Sequence, residues 1–103
     1  MIDARAHLRS LVGAEIRTLT DGRPNRILRI DGDEVIVGTQ KSPDGRPVPI
    51  RWLQDAVNLL EQQGEVAVDV ETLGHRGAFI GAFLAALPGA RVLPTIPRRV
   101  TLS

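Results

Sequence analysis

The 103-residue chain has no cysteine and no tyrosine, one tryptophan, one methionine and two histidines. Without cysteine there are no disulfides, no thiolate metal sites and no thiol nucleophile. His7 and His75 are the only imidazoles, so a zinc module is excluded and no metal is expected. Long hydrophobic runs are missing too: the longest, Ala78 to Leu87, falls far short of the roughly 20 residues that span a bilayer. The opening MIDARAHLRS lacks a secretory hydrophobic region, which sets the expectation of a cytoplasmic protein with no membrane contact. Neither a GxGxxG fingerprint nor GxxxxGK followed by Ser or Thr occurs, so no nucleotide cofactor is expected. The carboxylates mostly punctuate turns and no convergent set of reactive groups is visible, which points away from an enzyme.

Charge of one sign is scarce only on average. The net charge is +1, which argues against holding nucleic acid by bulk electrostatics. Along the chain, however, residues 1–30 carry six Arg against three acids, residues 31–71 carry three cations against nine acids, and residues 72–103 carry four Arg and no acid. Twelve of the thirteen cations are Arg, with Lys41 the exception. An Arg-rich set suits planar, bidentate phosphate or guanine contacts, and it equally follows from a GC-rich genome.

The segment IDARAHLRSLVG places Ile2, Ala4, His7/Leu8, Leu11 and Val12 at loosely helical spacing and stops at Gly13. Three short β-rich runs follow, AEIRTLT, NRILRI and EVIVGT, separated by Asp-Gly turns, which reads as a three-stranded antiparallel meander. After the loop KSPDGRPVP, residues Ile50, Leu53, Val57 and Leu60 repeat at helical period opposite Arg51, Gln54, Asp55, Asn58 and Glu61, and Gly64 ends that helix. EVAVDV alternates as an intervening strand, and LGHRGAFIGAFLAAL forms a last helix stopped by Pro88-Gly89. The expected fold class is therefore α+β, with one domain over 1–90 and an edge strand or linker over 91–103.

The last helix, 75–87, is apolar all round. Phe79, Ile80, Phe83, Leu84 and Leu87 form a core face, and Ala78, Gly81, Ala82, Ala85 and Ala86 form a small face. Such a helix reads as a buried central element, with an exposed small face used for a partner or a homodimer as the alternative. Its amino end carries Gly74, His75, Arg76 and Gly77, and the unpaired N–H groups there suit an anion unless Asp69 or Glu71 caps them. Arg23, Asn25 and Arg26 sit at a hairpin loop, and Lys41, Ser42 and Arg46 at the next one; each set reads as phosphate contacts or as ordinary turn solvation. Trp52 reads as core rather than as a base-stacking platform.

Across residues 12–90, the strings PNRI, VIVGT, SPDGRPVPIRWLQDAVNLL, GEV and LGHRGAFIGAFLAALPG resemble a small domain of bacterial, modification-dependent restriction endonucleases, often found beside HNH nuclease domains. The resemblance implies a winged-helix-like DNA-binding module that targets a nuclease. It puts His75, Arg76 and the loop from Lys41 to Arg46 on the DNA-facing surface. Nothing here matches an HNH or PD-type nuclease core, so any nuclease domain or subunit lies outside these residues.

Two functions follow as expectations. The first is a non-catalytic module for double-stranded DNA, modified or unmodified, with His75, Arg76, Gly77, Arg23, Arg26, Lys41, Ser42 and Arg46 on the backbone and a base edge or backbone modification read by His75 or Asn25. The second is a protein-interaction or homodimerisation domain built on the small face of helix 75–87.

Overall fold

In the computed structural model, which describes residues 2–74 and 76–102, the chain is α+β. A first helix, α1 (Ala4–Leu11), leads into four strands, β1 (Glu15–Arg17), β2 (Pro24–Asp31), β3 (Glu34–Gly38) and β4 (Arg46–Pro49). Then come α2 (Ile50–Gln63), β5 (Glu65–Ala67), the short α3 (Val70–Leu73), α4 (Gly77–Ala85), β6 (Ala90–Leu93) and β7 (Arg99–Leu102). One antiparallel sheet runs β1-β2-β3-β4 and a second runs β5-β7-β6.

The meander has four strands where the sequence reading has three. The added strand is Arg-Pro-Val-Pro, paired with β3 through Val48 to Val35 and Pro47 to Ile36. Its two prolines speak against a central strand, but β4 is an edge, where the missing N–H groups have no partner to lose. A bulge between Ile27 and Arg29 interrupts the β2-β3 register at Leu28.

The helix α2 spans the expected residues. Its first N–H, from Ile50, donates to the Asp33 carbonyl at 2.9 Å, and at its far end Gly64 N–H donates to Leu60 at 2.7 Å. Ile50, Leu53, Ala56, Val57 and Leu60 are buried along one side. The intervening strand is shorter than EVAVDV, because Asp69 caps α3 by accepting from Thr72 N–H at 2.7 Å.

The α4 helix is the buried central element. It packs against α2, α3, β1, β6 and β7, and Phe79, Ile80, Phe83 and Leu84 are all within the core. The small face is part buried and part open. Ala82 is only 3% exposed, and Gly81 lies so close to Val68 that a methyl group there would fall on its side chain. Two of the five small residues are therefore filled by the protein's own packing, while Ala78 is exposed and Ala85 and Ala86 are half-buried.

The tail is built into the second sheet. β6 forms an edge and β7 the middle strand of that sheet. Val100 in β7 is fully buried in the same core as α1, α2 and α4. Pro94 and Pro97 fall in the connection between β6 and β7, so neither removes a ladder hydrogen bond. Among the described residues no helix is long and apolar enough to cross a membrane.

Candidate anion-binding site

In an antiparallel meander the first and third turns lie at the same end of the sheet. Here those are the β1-β2 turn, residues 18–23, and the β3-β4 loop, residues 39–45. Thr18 shapes the first: Gly22 N–H donates to its carbonyl at 3.0 Å and Arg23 N–H donates to Oγ1 at 3.0 Å. Thr39 shapes the second in the same way, its Oγ1 accepting from Ser42 N–H at 3.1 Å. Gly45 ends that loop at φ +98°, pressed against Ile36 and Leu28, where a side chain would meet both strain and steric overlap.

The amino end of α4 is the third wall. Together these segments enclose a cleft of about 320 Å³ lined by Arg23, Lys41, Arg46 and Arg76, by Thr18, Asn25, Thr39 and Ser42, and by Ala78 and Phe79. Six of the nine expected site residues, Arg23, Asn25, Lys41, Ser42, Arg46 and Arg76, thus line one cavity although they are up to 53 positions apart in sequence.

The other three do not join them. His75 lies outside the described residues. Arg26 follows Asn25 on β2 and points to the opposite side of the sheet, where Nη1 donates to the Gly13 carbonyl at 3.1 Å; strand alternation separates the pair. Gly77 is buried, donates its N–H to Gly74 at 3.1 Å, and lines an adjoining cleft of about 230 Å³ with Asp21, Asp69 and Ala78.

The charge in the cleft is one-sided. Its lining residues include four cations and no carboxylate. Arg23 Nε is 3.8 Å from Asp21 at the surface, whereas among the described residues neither Arg46 nor Arg76 makes an ion pair. Burial, and then the nearby positive charge of Arg46, pull the Arg76 pKa below its ordinary value. Guanidinium groups keep their charge in proteins, so the like charges of Arg46 and Arg76 lie near one another without an acidic partner among the described residues. Arg46 is aimed by its own loop: Nε donates to Ser42 Oγ at 3.0 Å. Asp69, the suspected internal cap, serves α3 instead, and its carboxyl is held below the usual carboxylate range chiefly by the hydrogen bond from Thr72. The N-cap Arg76 makes no side-chain capping bond.

Comparison with known proteins finds no matching family model, no matching curated protein and no matching solved structure. The chemistry of the cleft is read from its residues alone. Sequence reasoning missed Thr18, Thr39, Ala78 and Phe79 as lining residues, although a Thr three to five residues before a Gly or Ser in a turn is a legible signal. Trp52 is 37% exposed and lies in a separate apolar groove with Leu59 and Leu73, so it offers no stacking surface to this cleft.

Proposed function

We propose that the chain is a non-catalytic nucleic-acid-binding module whose cleft holds DNA phosphates. The observation that carries this reading is the convergence of Arg23, Lys41, Arg46 and Arg76 from three separate segments into one cleft without a lining carboxylate. Uncompensated like charges are unfavourable in the free protein and are relieved by an anionic guest. The hydroxyls of Thr18, Thr39 and Ser42 add neutral donors of the kind that contact phosphate oxygens. With the resemblance to restriction-endonuclease domains, the role becomes that of an accessory that brings a nuclease domain or subunit to duplex DNA, modified or unmodified.

The buried sides of α4 constrain how it binds. A recognition helix must present a polar face to a groove, and α4 buries Phe79, Ile80, Ala82, Phe83 and Leu84. Contact is therefore made through the cleft at its amino end, not by laying the helix in the major groove. Fluorescence anisotropy of a labelled duplex at low salt tests the proposal. Arg46→Ala and Arg76→Ala should each weaken binding across all sequences and lower the salt slope by about 1. Wild-type protein that binds no duplex at high-micromolar concentration removes the proposal.

A further inference from the structure

At the floor of the cleft sits Asn25, only 6% exposed. A carboxamide offers two donors and one acceptor, yet among the described residues no hydrogen bond engages this one. The other buried polar residue, Thr18, is paired: its Oγ1 accepts from Arg23 N–H. Buried polar groups are nearly always satisfied; among the described residues the fully enclosed atom without a partner is His7 Nε2, whereas the Asn25 amide opens onto a cavity lined by four cations and is left to solvent or to a guest.

A bare phosphate completes only half of that amide. Its oxygens accept from the NH₂ group but give nothing to the carbonyl oxygen. The edge of a nucleobase does both, because it sets a donor beside an acceptor; the pairing of an Asn carboxamide with adenine N6 and N7 is of this kind. In a duplex those edges lie at the bottom of a groove and are read by side chains that protrude into it. Asn25 is recessed behind Arg23, Lys41, Arg46 and Arg76, so it cannot reach a stacked base. The base has to come to it. A cleft of about 320 Å³ falls at the small end of ligand cavities, roughly 300–1,000 Å³, which suits one nucleotide rather than a helix.

We propose that the cleft takes a single unpaired nucleotide, its base hydrogen-bonded to Asn25 and its flanking phosphates held by Lys41, Arg46 and Arg76. This rests on the reading of the cleft as a nucleic-acid site and narrows it to nucleotides outside the stack, where the cost of unpairing is least.

The test is anisotropy with three labelled duplexes of one sequence: fully paired, with one bulged nucleotide (each of the four bases in turn), and with one bulged abasic residue. The abasic duplex has the same flexibility and phosphates without a base. Wild-type protein should bind at least one bulged base about fivefold or more tighter than both other duplexes, the low end of what a bidentate amide-base pair discriminates. Asn25→Leu, branched alike at Cγ and uncharged, should remove that preference while keeping binding to the paired duplex; Arg46→Ala should weaken all three alike. Should Asn25→Leu fail to fold, the wild-type comparison decides alone. Equal affinity of the wild type for all three duplexes overturns this inference and leaves the phosphate reading standing. No binding to any of them overturns that reading itself.

Discussion

Two residues away from the cleft show how tightly single positions are determined. At Gly81 an added methyl would lie 3.1 Å from Val68 Cγ2 and closer still to Cγ1. Valine has little rotameric freedom with which to give way. Gly81→Ala is expected to lower unfolding free energy by about 1–3 kcal/mol, the usual range for overpacking, and a Val68→Ala background should recover part of it; urea denaturation reads both. His7 is the second. Its ring meets Phe83 edge-on with centroids 5.3 Å apart, and Nε2 is buried without a hydrogen-bond partner among the described residues. Burial lowers its pKa, against a weaker upward pull from the Ala86 backbone. The unfolded chain therefore takes up the proton first as pH falls below about 6.5. Stability should drop from there down to the folded-state pKa and then stop dropping on this account. In His7→Leu the urea midpoint should be flatter over that interval than in the wild type; identical slopes would remove His7 as the cause.

Among the elements, α2 was the most legible, because its start, its period and its stop are all local. The polar side of that helix has a use that periodicity does not disclose. Gln54 Oε1 accepts from Ala4 N–H at 2.8 Å, and its Nε2 donates to the Ile2 carbonyl at 2.9 Å and to Asn58 Oδ1 at 3.0 Å. The side chain thereby fastens the amino end of α1 to α2, 50 residues away. Gln54→Ala leaves those part-buried backbone groups unpaired and is expected to cost about 1–3 kcal/mol in chemical denaturation. A sharper comparison is Gln54→Glu, which keeps the acceptor for Ala4 and loses the donor to Ile2, so its stability should fall between those of the wild type and Gln54→Ala. In contrast, β4 and α3 escaped the sequence reading. Prolines masked the strand, whose edge position is a property of the sheet, and the four residues of α3 are too few to show a period.

At the scale of the whole molecule, a net charge of +1 conceals a local excess. Three acids of the acidic segment, Asp31, Asp33 and Glu34, line a separate cavity with Asp3 and Arg51, and no carboxylate lines the cleft. Binding by bulk electrostatics would make every exposed arginine count equally. Binding in the cleft makes position count. Arg26→Ala changes net charge by as much as Arg46→Ala does, yet it should leave duplex affinity at a given salt within about twofold, since each phosphate contact contributes through its own counterion release. Equal losses in the two variants, measured side by side by anisotropy, would falsify a localised site.

From its sequence alone the chain is bound to be α+β, to bury the final helix and to place cations at hairpin turns, because hydrophobic period, Asp-Gly turns and helix caps act over a few residues. Which of those cations share a cavity was decided only in three dimensions. The alternation of β2 sends Asn25 inward and Arg26 outward, the meander stacks its first and third turns at one end, and the packing of α4 between the sheets carries Arg76 to meet them. These are consequences of strand register and helix docking, which are set by contacts between residues far apart in the chain.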